Sequence, residues 1–248
     1  MKLIFTILIG IALLLSACSG QANPSIPNTP TSQPVPTQLA EPTSLLTETE
    51  IPDPSPTTSS ESPPVPTIAG PITLQIIPGE SQVSYEVGEV FLNQNNSFNL
   101  AKGITSRVSG DVTIDFQNPP NSKIGEIQVD ISQFQSDSPR RDNALRDRFL
   151  ESARFPIATF VPREIQALPE SYQEGQPINL KVTGDLTVRE VTKPVTFDVT
   201  LQYQGNTLTG EASTTILMSD FQVGPISIAG ILNTEDEVKL IFNFVARP

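Results

Sequence analysis

Histidine and tryptophan are absent from this chain of 248 residues, and there is a single cysteine, Cys18. Lack of His removes the commonest general base and the commonest metal ligand together. One Cys excludes an internal disulfide framework and a thiolate-held metal. Positive charge is scarce as well: 15 Lys and Arg face 27 Asp and Glu, a net −12. So acidic a chain is repelled by phosphate backbones, and no basic stripe stands out, so nucleic acid is not an expected partner. No glycine-rich phosphate loop leads from a strand into a helix. Neither a cofactor nor a metal is expected.

Long apolar runs are also missing, with one exception at the start. Leu3 to Leu15 is interrupted only by Thr6 and Gly10, but its length of about 13 residues is short of the roughly 20 a bilayer-spanning helix needs. Preceded by Met1-Lys2 and followed by small residues, it has the build of a secretory signal. The ending Leu15-Ser16-Ala17-Cys18 resembles the bacterial lipobox. That resemblance implies removal of residues 1–17 as a signal peptide and acylation of Cys18, the new N-terminus, by palmitate-like chains. Two or more such chains anchor stably, unlike one. The expected location is extracytoplasmic, on the periplasmic or cell-surface side, with Cys18 holding the protein to a membrane.

Residues 18–70 form a second composition zone. It holds 12 of the 24 prolines with abundant Ser and Thr, five acids and no base. Its few apolar residues follow no period, so it buries too little surface to offset ordering entropy, and a disordered linker is expected.

From residue 71 to residue 248 the pattern changes to alternation. Val108, Gly110, Val112, Ile114 and Phe116 alternate with Arg107, Ser109, Asp111, Thr113 and Asp115. The same period of two recurs in Ile127/Val129/Ile131, in Ile178/Leu180/Val182/Gly184/Leu186/Val188, in Val195/Phe197/Val199/Leu201/Tyr203 and in Val238/Leu240/Phe242/Phe244. Each segment predicts a strand with one buried and one wet face. Adding 72–77, 81–88, 157–165 and 206–217 gives an all-β domain of about eight or nine strands, antiparallel because the turns are short and one face is polar. Small inward residues such as Gly110, Gly184 and Ala212 favour a curled barrel over a sandwich. Asn93 to Gly103 reads as an extended polar loop.

One segment departs from period two. Ser138-Pro139 suits an N-cap and first helical position, and Leu145 and Phe149 share a face, predicting a short helix from Arg140 to Glu151 before Pro156. Five of the nine arginines cluster here among acids, and Asp142 and Arg146 fall at i, i+4 spacing. Two readings stay open: a solvated helix face, or Arg140 and Arg141 meeting an anionic lipid head group at the barrel mouth.

The motifs Val182-Thr183-Gly184-Asp185-Leu186-Thr187-Val188 and Val191-Thr192-Lys193-Pro194-Val195 are similar to a signature of YceI-like proteins. Arg141-Asp142 through Phe155-Pro156-Ile157-Ala158-Thr159-Phe160, and Ser219-Asp220-Phe221, resemble two further family segments. The resemblance spans residues 72–246. It implies an extended lipocalin-like antiparallel barrel of eight strands with an apolar interior, which in some members holds a polyisoprenoid. Where many members carry His this chain has Glu80 and Glu89, and Glu190 replaces a family glycine.

Catalysis is not expected. Ser219-Asp220 has no His to activate it, and Glu235-Asp236-Glu237 reads as a solvated turn and not as a Ca²⁺ loop. The inward residues Tyr85, Phe116, Phe160, Phe197, Phe242 and Phe244 suit either a packed core or the wall of a lipid cavity. Two functions therefore stand. One is a membrane-anchored binding protein for an isoprenoid or other long-chain lipid. The other is a filled barrel on a stalk, an envelope-stress or interaction protein with no small-molecule ligand. The lipobox gives the first test: Cys18→Ser should abolish incorporation of labelled fatty acid and leave an unprocessed precursor, whereas equal labelling of variant and parent would dismiss the anchor.

Overall fold

The computed structural model describes residues 70–248; the leader, Cys18 and the proline-rich stretch lie outside the described residues. The described residues form thirteen strand segments. They are β1 (Ile72–Ile76), β2 (Gln82–Phe91), β3 (Ser97–Thr105), β4 (Val108–Ser109), β5 (Asp111–Ile114), β6 (Lys123–Ile124), β7 (Ile127–Asp130), β8 (Ile157–Gln166), β9 (Ile178–Val188), β10 (Val191–Gln204), β11 (Thr207–Leu217), β12 (Ser227–Ile228) and β13 (Leu232–Arg247).

The segments build eight staves. β1 and β2 lie end to end along β13, with Ile76 opposite Ala246 and Gln82 opposite Asn243. β3, β4 and β5 follow one another along that first stave, and β6 and β7 make the third. Each later stave pairs antiparallel with the one before it, from β7–β8 through to β11–β13. Because β13 also pairs with β1 and β2, the meander closes on itself as a barrel. Closure satisfies the edge groups that an open sheet would leave bare. Where β1 breaks from β2, the fully buried Ser81 substitutes for the ladder: its hydroxyl accepts from the Val245 amide at 3.0 Å and donates to the Val245 carbonyl at 3.2 Å.

The alternation assigned from sequence holds in β9, β10 and β13. Val182 opposite Phe197 and Leu180 opposite Val199 point inward, while Lys181 pairs with Asp198 on the wet face. Glu190, in place of the family glycine, lies in the two-residue turn between β9 and β10. Only Arg189 there takes a positive φ, +58°, so position 190 has no need of glycine.

Two expectations are corrected. The stretch 93–103 is not a loop: it turns at Asn95 and Asn96, both with positive φ, and returns as β3. β3 escaped detection because its apolar residues Phe98, Leu100 and Ile104 face outward, while Asn99, Ala101, Gly103 and Thr105 face in. The helix is also shorter than 140–151. α1 covers Pro139–Ala144 with Ser138 as its N-cap, followed by one wide turn over Leu145–Phe149 closed by the Leu150 amide on the Leu145 carbonyl at 2.8 Å. Asp142 does not pair with Arg146. Its buried carboxylate accepts from the Ser136 amide and hydroxyl, at 3.0 and 2.6 Å, and Arg146 donates to the Phe134 carbonyl.

Inward and outward positions should differ sharply under mutation. Val182→Asp places an unpaired carboxylate in the wall, at a cost of several kcal/mol by order of magnitude against about 5–15 kcal/mol of domain stability. Lys181→Ala, which removes an exposed pair, should cost no more than about 1 kcal/mol. Equal midpoints for both in urea unfolding would overturn the facing.

Candidate functional site

The barrel is hollow. A cavity of about 670 Å³ runs along its axis, within the roughly 300–1,000 Å³ typical of small-molecule sites. All six aromatic residues singled out above, Tyr85, Phe116, Phe160, Phe197, Phe242 and Phe244, lie on its wall. Their rings pack against one another: Phe160 meets Phe197 edge-on at 5.0 Å between centroids, and Phe242 meets Phe244 at 5.4 Å. Two of these rings occupy the space left where a neighbouring strand lacks a side chain. The Phe160 ring covers Gly184, where a Cβ would come within 2.7 Å of it, and the Tyr85 ring covers Gly103, where a Cβ would come within 2.3 Å.

One end of the cavity is lined by Phe116 together with Tyr172 and Tyr203. Phe116 stacks within 4.8 Å of Tyr203 and 5.4 Å of Tyr172. The Tyr172 hydroxyl donates to the Tyr203 carbonyl and accepts from the Tyr203 amide at 2.9 Å, pinning the loop after β8 across the end of β10. Burial pushes the pKa of both phenols up.

The other end is capped by α1, its wide turn, the β2–β3 hairpin and the loop before β13. Here stands Glu89, one of the two positions where many family members carry His and not among the site residues expected from the sequence. It stands on the inward parity of β2 with Tyr85 and Val87, and only 3% of it is exposed. An acid at an inward position of an apolar strand was the available signal. Arg141 reaches it from α1 with a two-pronged contact, Nε to Oε1 at 3.0 Å and Nη2 to Oε2 at 2.8 Å, and Asn99 donates to the same carboxylate at 3.2 Å. Arg141 Nη1 also donates to the Ser136 hydroxyl and to Asp137. The Glu89 hydrogen bonds raise the Arg141 pKa, against the opposing effect of burial, so its charge is fixed. A second arginine ties the cap together: Arg189 donates to the carbonyls of Phe149 and Gln222, each at 3.2 Å, and pairs with Glu151.

Arg140 and Arg141 thus both border the cavity, yet in different states. Arg141 is compensated by two carboxylates. Arg140 is exposed and forms no ion pair among the described residues. With the exposed Asn93, Gln94 and Ile231 it marks one place where the cavity reaches solvent; the exposed Lys123 lines the cavity at the opposite end. Tyr85, close to this cap, has a buried hydroxyl with no hydrogen-bond partner among the described residues. Burial above all pushes its pKa up to about 12, so the wall there is an uncharged phenol. The Ser219 hydroxyl donates to Asp236 at 2.6 Å and fastens a turn.

A family model, the YceI-like domain, matches residues 74–246. The chain belongs to the YceI-like family. Among its relatives, the protein YceI of Salmonella newport is 30% identical over 165 residues, covering 61% of this chain and 82% of that protein. Two solved structures share the fold. BcnA of Burkholderia cenocepacia has a TM-score of 0.53 at 24% identity, covering 68% of this chain and 98% of its own. A polyisoprenoid binding domain from Saccharophagus degradans has 0.52 at 12% identity, covering 70% and 97%. At those identities the likeness is one of fold. It fits the lipocalin-like barrel expected from the motifs.

The Glu89–Arg141 contact should be a main fastening of the cap. Arg141→Ala strands a buried carboxylate and should cost about 3–5 kcal/mol, while the Glu89→Ala/Arg141→Ala double variant should recover a large part of that loss. Additive losses in a double-mutant cycle measured by chemical denaturation would show that the two side chains act independently.

Proposed function

We propose that this chain is a membrane-anchored, extracytoplasmic binding protein whose barrel encloses the long apolar chain of an isoprenoid or similar lipid. The observation that carries this is the hollow interior of about 670 Å³ walled by Phe, Leu, Val and Ile side chains. An apolar cavity of that size is a poor home for water and a good one for hydrocarbon. Membership in the YceI-like family supports the reading, as does the fold shared with a domain described as polyisoprenoid binding. The lipobox-like ending at Cys18 supports the anchor and the location outside the cytoplasm. A filled barrel with no ligand fits less well, since close-packed interiors leave few voids larger than a water molecule. The wall offers hydrocarbon, a neutral phenol and a compensated ion pair, which is the equipment of a binding module and not of a catalyst.

Recognition in such a site is burial. Each methylene withdrawn from water contributes about 0.8 kcal/mol before ordering costs. At the cap-end opening polar selection falls to Arg140, which has no ion pair among the described residues, because Arg141 already faces Glu89 and Asp137. Titration of residues 71–248 with isoprenoid alcohols of increasing length should show affinity rising steeply with length until the cavity is filled. Salt should have little effect, and matching phosphates should gain at most the modest advantage that Arg140→Ala removes. Absence of binding by any member of the series would return the protein to the ligand-free reading.

A further inference from the structure

The cavity opening has an apolar rim. Phe98 is 62% exposed, Leu100 56%, Ile231 44% and Leu92 39%. Phe98 and Leu100 stand on the outer face of β3, opposite Val90 and Gly88 of β2. The Leu92 amide donates to the Ile231 carbonyl at 2.8 Å, which joins the hairpin to the loop before β13 and sets these two side chains together. Ile231 also lines the cavity, so rim and interior share a wall. The Glu235 carboxylate lies over Gly88 beside the Phe98 ring and borders the patch, and farther along β2 and β3 the Glu86–Lys102 ion pair ends it. Scattered exposed apolar residues are ordinary, but a group gathered at the mouth of an apolar cavity marks an interaction surface.

We propose that this rim docks the opening onto the interface of a bilayer of uncharged or zwitterionic lipids. The proposal deepens the lipid-binding reading and rests on it for its purpose: an apolar chain passes between bilayer and cavity without crossing water only if the opening meets the hydrocarbon boundary. Charge selects the kind of bilayer. Residues 71–248 carry 14 Lys and Arg against 22 Asp and Glu, so an anionic surface repels the domain. The chain outside the described residues makes the orientation reachable. β1 enters the barrel at Ile72 beside Ile114, the end away from the β2–β3 hairpin, so an anchor at Cys18 must reach back along the barrel. β13, at 16 residues, is about 50 Å long. The 52 residues 19–70 have a maximum reach of roughly 170 Å, ample for that return.

The absence of Trp provides a clean test. Full-length Phe98→Trp and Leu100→Trp variants are compared with Val161→Trp, a 42% exposed position on β8 away from the rim. Each is mixed with phosphatidylcholine vesicles whose acyl chains are brominated or plain. Bromine should reduce the emission of the two rim variants roughly twofold, as expected for side chains about 5–10 Å into the interface, and leave Val161→Trp unchanged. Equal quenching at all three positions, or none at the rim, overturns the proposal. Lipid-independent shielding of the rim variants that grows with protein concentration also overturns it and assigns the patch to a second copy. The readout needs no cargo. A chain that docks but yields no lipid on extraction and mass spectrometry refutes the cargo reading alone, and one that holds lipid without docking refutes this one.

Discussion

Closure of eight staves is the constraint from which the other features follow. The number of strands sets the width of a barrel, and eight leave an interior that side chains can just fill or that one small ligand can occupy. Which of the two results depends on where the inward side chains put their bulk. Here the large rings lie along the wall: Phe160 over Gly184 and Tyr85 over Gly103, in spaces that any Cβ would have taken. Glycine on one stave therefore makes room for an aromatic ring from the next. The cavity is a consequence of pairing register as much as of residue type.

The two ends are finished by different chemistry. Tyr172 and Tyr203 with Phe116 form an aromatic wall secured by backbone hydrogen bonds to one phenol. The cap at α1 is held by charged contacts, Arg141 to Glu89 and Arg189 to Glu151, Phe149 and Gln222. Between these ends the wall is hydrocarbon and held together by backbone ladders. The cap contacts run between side chains and loop carbonyls and take no part in those ladders. The wide turn over Leu145–Phe149 belongs to the same cap, and such turns recur beside functional sites.

Charge compensation inside the cap gives the site its character. A lone arginine facing an apolar cavity would demand an anionic ligand. Glu89 and Asp137 cancel that demand at Arg141, and the high pKa of Tyr85 keeps the nearby phenol neutral. What the wall then presents is mainly hydrocarbon surface, the kind of surface that the proposed binding by burial would use. The apolar rim extends the same logic outward, because a site that binds by burial is best served at a surface where its ligand is already out of water.

Composition and period two, by themselves, determined the all-β class, the antiparallel order, nearly every inward residue and the place of the short helix. Those properties are local: a strand's faces follow from alternation and a helix start from Ser138-Pro139, whatever lies across the barrel. The lipobox-like ending and the family motifs are local as well. Only the tertiary structure decided three matters. It showed β3, whose pattern is inverted because its outer face is the apolar rim and its inner face gives way to Tyr85 and Glu89. It paired Arg141 with Glu89, 52 residues away in the chain, where the i, i+4 rule had offered a local partner for its neighbour Asp142. And it made the interior a cavity, since whether the same phenylalanines fill a core or line a tube depends on where neighbouring strands place them, which no single strand's sequence contains.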